Sequence, residues 1–96
     1  MKEKTIEGYL RDRVRAAGGR AYKFVSPGNN GVPDRLMVMP GGRIVFVELK
    51  SPGRKSTELQ KAKQAELAKL GCVVFVDVDS KEKIDSILAG YARAAK

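Results

Sequence analysis

The chain has 96 residues, and 19 Lys or Arg against 11 Asp or Glu give it a net charge of +8 at neutral pH. This length predicts a single domain over residues 1–96, and 43% apolar residues are enough for a globular core. The chain has no His and one Cys, which excludes imidazole catalysis, a Cys/His zinc site and an intrachain disulfide.

No stretch approaches the roughly 18 apolar residues of a membrane span, and the start lacks the apolar run of a signal peptide. We therefore expect a soluble, intracellular, cytoplasmic protein. The excess of positive charge favours a polyanionic partner, although many small basic proteins carry such charge for solubility alone.

The first half of the chain predicts one helix and three strands. Apolar residues at helical spacing predict a helix over 3–17, which Gly18 and Gly19 end. A short strand over 21–25 and a flexible loop over 26–32 follow. Strands over 35–39 and 43–50 flank Pro40-Gly41-Gly42, which predicts a hairpin.

The second half predicts two helices and one strand. Thr57 begins a helix that Gly71 ends. The apolar stripe of this helix is Leu59, Ala62, Leu67 and Leu70. The run over 72–78 is apolar on both faces, so we place it in the interior of the sheet. A last helix begins near residue 80 and completes the order α-β-β-β-α-β-α of one α/β unit.

The third strand ends with two charged residues on one face. Glu48 and Lys50 follow an apolar run, and residues two apart in a strand point to the same side. By themselves, these two residues are more typical of an ion pair at the end of a strand than of a catalytic site.

Asp34 precedes the second strand, where Pro33-Asp34 is also typical of an ordinary turn. Asp34 and Glu48 each lie seven residues from Gly41, the centre of the predicted hairpin. The hairpin therefore predicts that they are cross-strand neighbours, within roughly 5 Å at Cβ. Two carboxylates at that distance repel each other unless a cation lies between them.

A hard divalent cation suits this pair of carboxylates. Mg²⁺ takes oxygen ligands and usually keeps waters while bound to one or two carboxylates and a substrate phosphate. Asp34 and Glu48 could supply two ligands, and the Leu49 backbone carbonyl could supply a third. Lys50 could then orient the attacking water and balance charge in the transition state of phosphodiester hydrolysis.

Two helical residues have both an ordinary and a functional interpretation. Glu7 lies beside the apolar stripe of the first helix, where an early acid also suits the helix dipole. Gln60 stands three residues after Thr57, which matches a capping box. The functional alternative for Gln60 is a contact with Lys50 or with a phosphate.

These motifs, in this order, resemble the VRR-NUC (virus-type replication-repair nuclease) family of the PD-(D/E)XK nuclease superfamily. The match runs from residue 7 to about residue 78. It comprises Glu7, Gly31-x-Pro33-Asp34, Glu48-Leu49-Lys50 and Gln60. The resemblance implies the superfamily core, which is a mixed central sheet flanked by helices.

The resemblance also implies cleavage of DNA phosphodiester bonds that depends on Mg²⁺ or Mn²⁺. Asp34, Glu48 and the Leu49 carbonyl then become metal ligands, and Lys50 becomes the catalytic lysine. Glu7 matches an acid that reaches the metal through water, and Gln60 matches a glutamine that supports the site. Arg35 departs from the pattern, because an apolar residue is frequent after the aspartate, and it could add a phosphate contact.

Free-standing members of the family are similar in outline to archaeal-type Holliday junction resolvases, which act as homodimers. A structure-selective endonuclease of bacterial or phage DNA replication and repair is therefore implied, acting on branched DNA in the host cytoplasm. We place a dimer interface on apolar positions of the last strand or last helix. Six residues are the expected DNA contacts: Arg35, Arg54, Lys55, Lys61, Asn29 and Asn30.

Two other functions fit a small basic α/β domain. One is a non-catalytic module that binds nucleic acid, and the other is an assembly protein in which Glu48 and Lys50 form only an ion pair. The complete set of Asp34, Glu48 and Lys50 argues against the first. The second predicts that Glu48→Ala destabilises the fold, whereas a metal site predicts that this change relieves acid–acid repulsion when metal is absent.

Overall fold

The computed structural model describes residues 2–94 of the chain. The observed order is the predicted α-β-β-β-α-β-α, which confirms the fold class. The elements are α1 (Glu3–Ala16), β1 (Arg20–Lys23), β2 (Arg35–Met39), β3 (Arg43–Leu49), α2 (Glu58–Lys69), β4 (Val73–Val78) and α3 (Lys81–Ala94). None of these helices has the length and apolar character that a bilayer crossing requires.

The four strands form one mixed sheet in the order β1-β2-β3-β4. β1 and β3 are both antiparallel to β2, and β4 is parallel to β3. In the β2–β3 hairpin, Arg35 pairs with Val47 and Met39 with Arg43. This register is centred on Gly41, as predicted, because Gly41 and Gly42 adopt the positive φ angles that the tight connection requires.

The core lies between one face of the sheet and the helices α1 and α3. Alternate residues of β2 and β3 point into it, since side chains along a strand alternate between the two faces. The buried apolar residues are Ile6, Leu10, Val14, Met37, Met39, Val45, Val47, Leu49, Val78, Ile84 and Leu88. Those on α1, Ile6, Leu10 and Val14, have the helical spacing that predicted this helix.

The predicted place of β4 in the interior of the sheet is wrong. β4 is an edge strand, and Val73 and Val76 are each 44% exposed. An apolar run on both faces predicts two covered faces, but it does not say whether a second neighbouring strand is present. The apolar residues of β4 therefore lie at an edge of the sheet that the rest of the protein covers only in part.

The predicted apolar stripe of α2 is wrong as a core face. Leu59 is 50% exposed and Leu70 is 76% exposed, whereas the only buried residue in α2 is Gln64. The face of α2 that meets the protein carries Gln60 and Gln64, one helical turn apart. Helix α2 therefore presents amide groups to the sheet, and its apolar residues remain on the surface.

Candidate active site

The two acids lie at the same end of the β2–β3 hairpin. Extending the observed register by one pair beyond Arg35 and Val47 sets Asp34 opposite Glu48. The Oδ1 atom of Asp34 accepts the Leu49 backbone N–H at 3.0 Å, so its carboxylate lies against the backbone between Glu48 and Lys50. The structure thus brings these residues together as the hairpin spacing predicted.

Glu48 is almost completely removed from solvent, with 3% of the residue exposed. Its Oε1 atom is buried and has no hydrogen-bond partner, while Oε2 is near the ends of Gln60 and Lys50. The pKa of Glu48 is raised to about 7, chiefly by burial and in addition by the nearby charge of Asp34, while Lys50 opposes the shift. A buried oxygen without a partner is costly unless a proton or a cation satisfies it.

Asp34 experiences the same conflict in weaker form. Burial raises the pKa of the Asp34 carboxyl, while the Leu49 N–H and the Arg35 guanidinium lower it in part. Neither acid is therefore placed to favour its own ionised form, as an acid that only formed a surface ion pair would be. The Asp34 and Glu48 carboxylates thus lie side by side at the same end of the β2–β3 hairpin.

Lys50 and Gln60 complete the polar cluster from the other side. The Nζ atom of Lys50 donates to Oε1 of Gln60 at 2.8 Å and lies 3.9 Å from Oε2 of Glu48. The Nε2 atom of Gln60 donates to the same Glu48 oxygen at 3.4 Å. One amide group thus bridges the lysine and the acid, which is the functional contact that the sequence left open for Gln60.

The capping box that the sequence also allowed is present. The Gln60 backbone N–H donates to the Thr57 hydroxyl at 3.2 Å, and the Thr57 N–H donates to Gln60 Oε1 at 2.9 Å. The two interpretations of Gln60 are compatible, because Oε1 has two lone pairs and accepts from Thr57 and Lys50 together. The start of α2 and the orientation of the lysine therefore depend on the same oxygen.

Glu7 is linked to this cluster through Arg35, whose Nη1 atom lies 3.8 Å from Oδ2 of Asp34. The Glu7 carboxylate forms an ion pair with Arg35, whose side chain is 9% exposed and whose Nη1 also donates to the Asp34 carbonyl at 2.8 Å. Arg35 therefore lies within the fold, and its expected place on the DNA-facing surface is not what the structure shows. It points to the α1 side because it alternates with Leu36 and shares a face with Met37.

Glu3 is an acid of α1 that the sequence analysis missed. It lies in the first turn of α1, and its negative charge is one of those that raise the pKa of Glu48. A helical turn separates Glu3 from Glu7, so both lie on one side of α1. The sequence offered no way to choose between them, because either suits the start of a helix.

The remaining expected DNA contacts lie on exposed loops and on α2. Arg54 and Lys55 are exposed in the segment between β3 and α2, and the Lys61 ammonium lies 3.5 Å from Glu58. Asn30 is exposed, while Asn29 donates to the Ser26 hydroxyl at 2.9 Å within its own loop. Gly31, at the end of that loop, lies directly against Leu59 of α2.

The donor set of the cluster fits a hard divalent cation. Within residues 2–94, no three His, Cys, Asp or Glu side chains converge on one point, so any ion held here would have two carboxylates at most. Mg²⁺ is commonly held in this way, by one or two carboxylates with water and substrate oxygens completing the shell. The unpartnered Oε1 of Glu48 is the observation in this structure that such an ion would satisfy.

Comparison with known proteins relates this chain to nucleases. No protein-family model matches the chain. It is 51% identical over 88 residues to a protein named "Putative nuclease p44" from Acyrthosiphon pisum secondary endosymbiont phage 1, with 92% of each chain covered. A solved structure described as "VRR_NUC domain" superposes with a TM-score of 0.86 at 33% identity, covering 95% of this chain and 98% of that one.

The fold and these two matches define the protein as a nuclease domain. The chain belongs to the VRR-NUC family, as the sequence resemblance predicted.

Proposed function

We propose that this protein is a metal-dependent endonuclease that hydrolyses phosphodiester bonds of DNA with Mg²⁺ or Mn²⁺. The observation that carries the proposal is the buried, unpartnered Oε1 of Glu48 beside Asp34, with Lys50 held against the same residue. A cluster that served stability alone would pair that oxygen, because leaving it bare costs about 1–3 kcal/mol.

Asp34, Glu48 and the Leu49 carbonyl would hold the ion, and Glu7 or Glu3 would act through water. The ion, when bound, would polarise the scissile phosphate and lower the pKa of a water ligand. Lys50 is held by Gln60 so that its ammonium faces the acids rather than solvent. From there, it would orient the attacking water and balance the negative charge that develops on the phosphoryl oxygens.

Exposed cations beside the cluster support DNA as the substrate. Arg54 and Lys55 follow the strand that carries Glu48 and Lys50. Such side chains bind the phosphate backbone with little regard to sequence. We propose that the protein's selectivity is for the shape of branched DNA rather than for sequence, as in a structure-selective nuclease similar in outline to Holliday junction resolvases.

We propose in addition that the protein acts as a homodimer, so that two sites lie on one symmetric DNA junction. The uncovered edge strand β4, with Val73 and Val76 exposed, supports an interface on the last strand. An edge strand of this kind is an open template for pairing with another chain.

The test is cleavage of a labelled four-way junction beside a linear duplex of equal sequence, in Mg²⁺, Mn²⁺ or EDTA. Wild type is compared with Lys50→Ala and with Lys69→Ala, which removes an exposed cation at the far end of α2. We expect nicking by wild type and Lys69→Ala that EDTA abolishes, and a loss of about 100-fold or more in Lys50→Ala.

Each outcome decides between the candidate functions. Symmetric nicking of the junction alone supports a dimeric, resolvase-like enzyme, and cleavage of both substrates keeps the chemistry but removes junction selectivity. A folded wild type that binds DNA and cleaves neither substrate in either metal would favour a non-catalytic module. Failure to bind DNA as well would favour an assembly protein.

A further inference from the structure

Asp77, in β4, has a backbone conformation that only glycine adopts without cost. Its φ angle is +51°, and within residues 2–94 it is the one residue other than glycine with a positive φ. Asp and Asn are the side chains that tolerate this region best, at a cost of about 1–2 kcal/mol for most others. Such outliers persist where the surrounding structure fixes them, and they concentrate at functional sites.

The same residue lies in an irregularity of the sheet. Val47 pairs with Phe75 and Leu49 pairs with Val78, so three steps along β4 match two steps along β3. The extra residue forms a β-bulge, which bends a strand and redirects a side chain. Glu48 is the β3 residue opposite this bulge, so the distortion of β4 occurs directly beside the buried acid.

The redirected Asp77 carboxylate holds the segment that leads into α2. Its Oδ1 atom accepts the Ser56 backbone N–H at 2.8 Å and the Ser56 hydroxyl at 2.7 Å. The Ser56 oxygen in turn accepts from Nε2 of Gln64 at 2.9 Å, and both residues are buried. Three polar groups therefore join β4, the loop after β3 and the inner face of α2.

These contacts connect Asp77 to the candidate active site. Ser56 directly precedes Thr57, which caps α2 and shares the Oε1 atom of Gln60 with Lys50. On the other side of the bulge, the Val78 carbonyl accepts the Lys50 backbone N–H at 3.0 Å. The bulge thus fixes the lysine through its backbone and the glutamine through the start of α2.

We propose that Asp77 is a positioning residue of the nuclease site, which sets the Gln60 amide against Lys50 and Glu48 by anchoring Ser56. This inference rests on the proposed nuclease activity only for its kinetic consequence. Its structural consequence is the position of Gln60, which exists with or without cleavage. The alternatives are that Asp77 contributes only stability, or that it acts only through its charge.

Asp77→Asn and Asp77→Gly separate these alternatives. Both remove the charge and both tolerate a positive φ, but only Asn keeps an oxygen that accepts from Ser56. We expect Asp77→Asn to keep kcat within about threefold of wild type. We expect kcat of Asp77→Gly to fall about 10- to 100-fold with a smaller change in KM, as when a partner of a catalytic group is removed.

Asp85→Ala controls for a general loss of stability. Asp85 accepts the Tyr9 hydroxyl at 2.6 Å and lies 3.5 Å from Arg13, on α3 and away from the polar cluster. We expect its thermal midpoint to fall while kcat stays at the wild-type value. Comparison at temperatures where all three variants are folded removes stability as the cause of a kinetic difference.

A second measurement requires no activity. In ¹⁵N-labelled protein without metal or DNA, we expect the side-chain amide signals of Gln60 to move in Asp77→Gly and to remain in place in Asp77→Asn. If these signals are unchanged in Asp77→Gly, the proposal is overturned even if wild type cleaves no DNA. Equal losses of kcat in both variants would also overturn it, because they would assign the effect to charge.

Discussion

Glu48 carries a carboxyl group that folding removes from water, and this has a measurable consequence for stability. Its pKa rises from 4.5 to about 7, chiefly through burial. Below pH 4.5 the group is protonated in both the folded and the unfolded chain, so it costs nothing. Between pH 4.5 and 7 the unfolded chain ionises while the folded protein keeps the proton, so the free energy of unfolding falls by about 3 kcal/mol across this range and stays at that lower level above pH 7.

We therefore expect Glu48→Gln to melt at a higher temperature than wild type at pH 8 and at nearly the same temperature at pH 4.5. Thermal melts in EDTA across this range measure the difference, and Glu66→Gln is the control because the Glu66 side chain is 58% exposed. A Glu48→Gln variant less stable than wild type at pH 8 would mean that the ionised acid stabilises the fold as an ion pair.

Divalent cations provide the complementary test of the same residue. If Glu48 and Asp34 hold Mg²⁺, then Mg²⁺ at 100 times its dissociation constant raises the free energy of unfolding of wild type by about 2.7 kcal/mol. We expect this gain at pH 8 in wild type and a much smaller gain in Glu48→Gln. An equal gain in both proteins would place the bound cation elsewhere.

We expect the ion pair between Arg35 and Glu7 to stabilise the fold. Removing the buried guanidinium in Arg35→Met leaves Glu7 without its ion-pair partner, and the Asp34 carbonyl keeps only the Phe24 N–H of its two donors. We expect this loss to cost about 2 kcal/mol in urea unfolding. Arg11→Ala, which removes an exposed arginine one helical turn from Glu7 in α1, should change stability by less than about 0.5 kcal/mol. A loss of DNA affinity in Arg35→Met at unchanged stability would instead restore Arg35 as a phosphate contact.

Element α2 shows why hydrophobic periodicity locates a helix more reliably than it orients one. Thr57, Gln60 and Gly71 correctly predicted where the helix begins and ends, because caps depend on local hydrogen bonds. The apolar stripe did not predict the buried face, since α2 covers a polar cluster and so turns its glutamines inward. A pattern rule assumes that the covered face is apolar, and this assumption fails where a helix serves a site.

For the β2–β3 hairpin, by contrast, the sequence pattern correctly predicted which residues lie opposite each other. Its turn and its alternation determine the register, and the register places Asp34 and Glu48 opposite each other without further information. The contacts of Arg35 with Glu7 and of Asp77 with Ser56 lay beyond such reasoning. Each joins residues distant in the chain, and each depends on the direction of one side chain in the folded protein.

The loop before β2 is fixed by its contact with α2. A Cβ atom on Gly31 would lie 2.9 Å from the Leu59 carbonyl oxygen, whereas one on Gly28 would meet nothing within 4 Å. Both residues have a positive φ, so Gly28→Ala measures the backbone cost alone. We expect Gly31→Ala to lose at least about 1 kcal/mol more than Gly28→Ala in urea unfolding; equal losses would show that this loop separates freely from α2.

At the scale of the molecule, the net charge of +8 is not concentrated in one helix or strand, since none of them carries a net charge above +2. DNA affinity should therefore fall steeply with salt, by about 0.9 in the logarithmic slope for each phosphate contact. We expect Arg54→Ala with Lys55→Ala to reduce this slope by about 2, and Lys69→Ala to leave it unchanged. Equal slopes for all three proteins would place the DNA on a different surface.

The open edge of the sheet gives a prediction about assembly. If β4 pairs two copies, sedimentation equilibrium should give twice the mass of one chain, and Val76→Lys should give the mass of one. Val76 is 44% exposed in a single chain, so the change should have little effect on the stability of each subunit. If wild type sediments as one chain, each molecule would carry one site, and two nicks in the same junction would be made independently.

Gln60 Oε1 accepts hydrogen bonds from both Thr57 and Lys50, so the folding of the first turn of α2 and the position of Lys50 are coupled. If the first turn of α2 opens, Lys50 loses this partner at the same moment, so the proposed site is not assembled in a molecule whose α2 is frayed. The protected fraction of the Gln60 backbone amide in hydrogen exchange therefore sets an upper limit on the competent population. Heat or denaturant should then abolish the activity before the sheet unfolds, so that only molecules with an ordered α2 would cleave DNA.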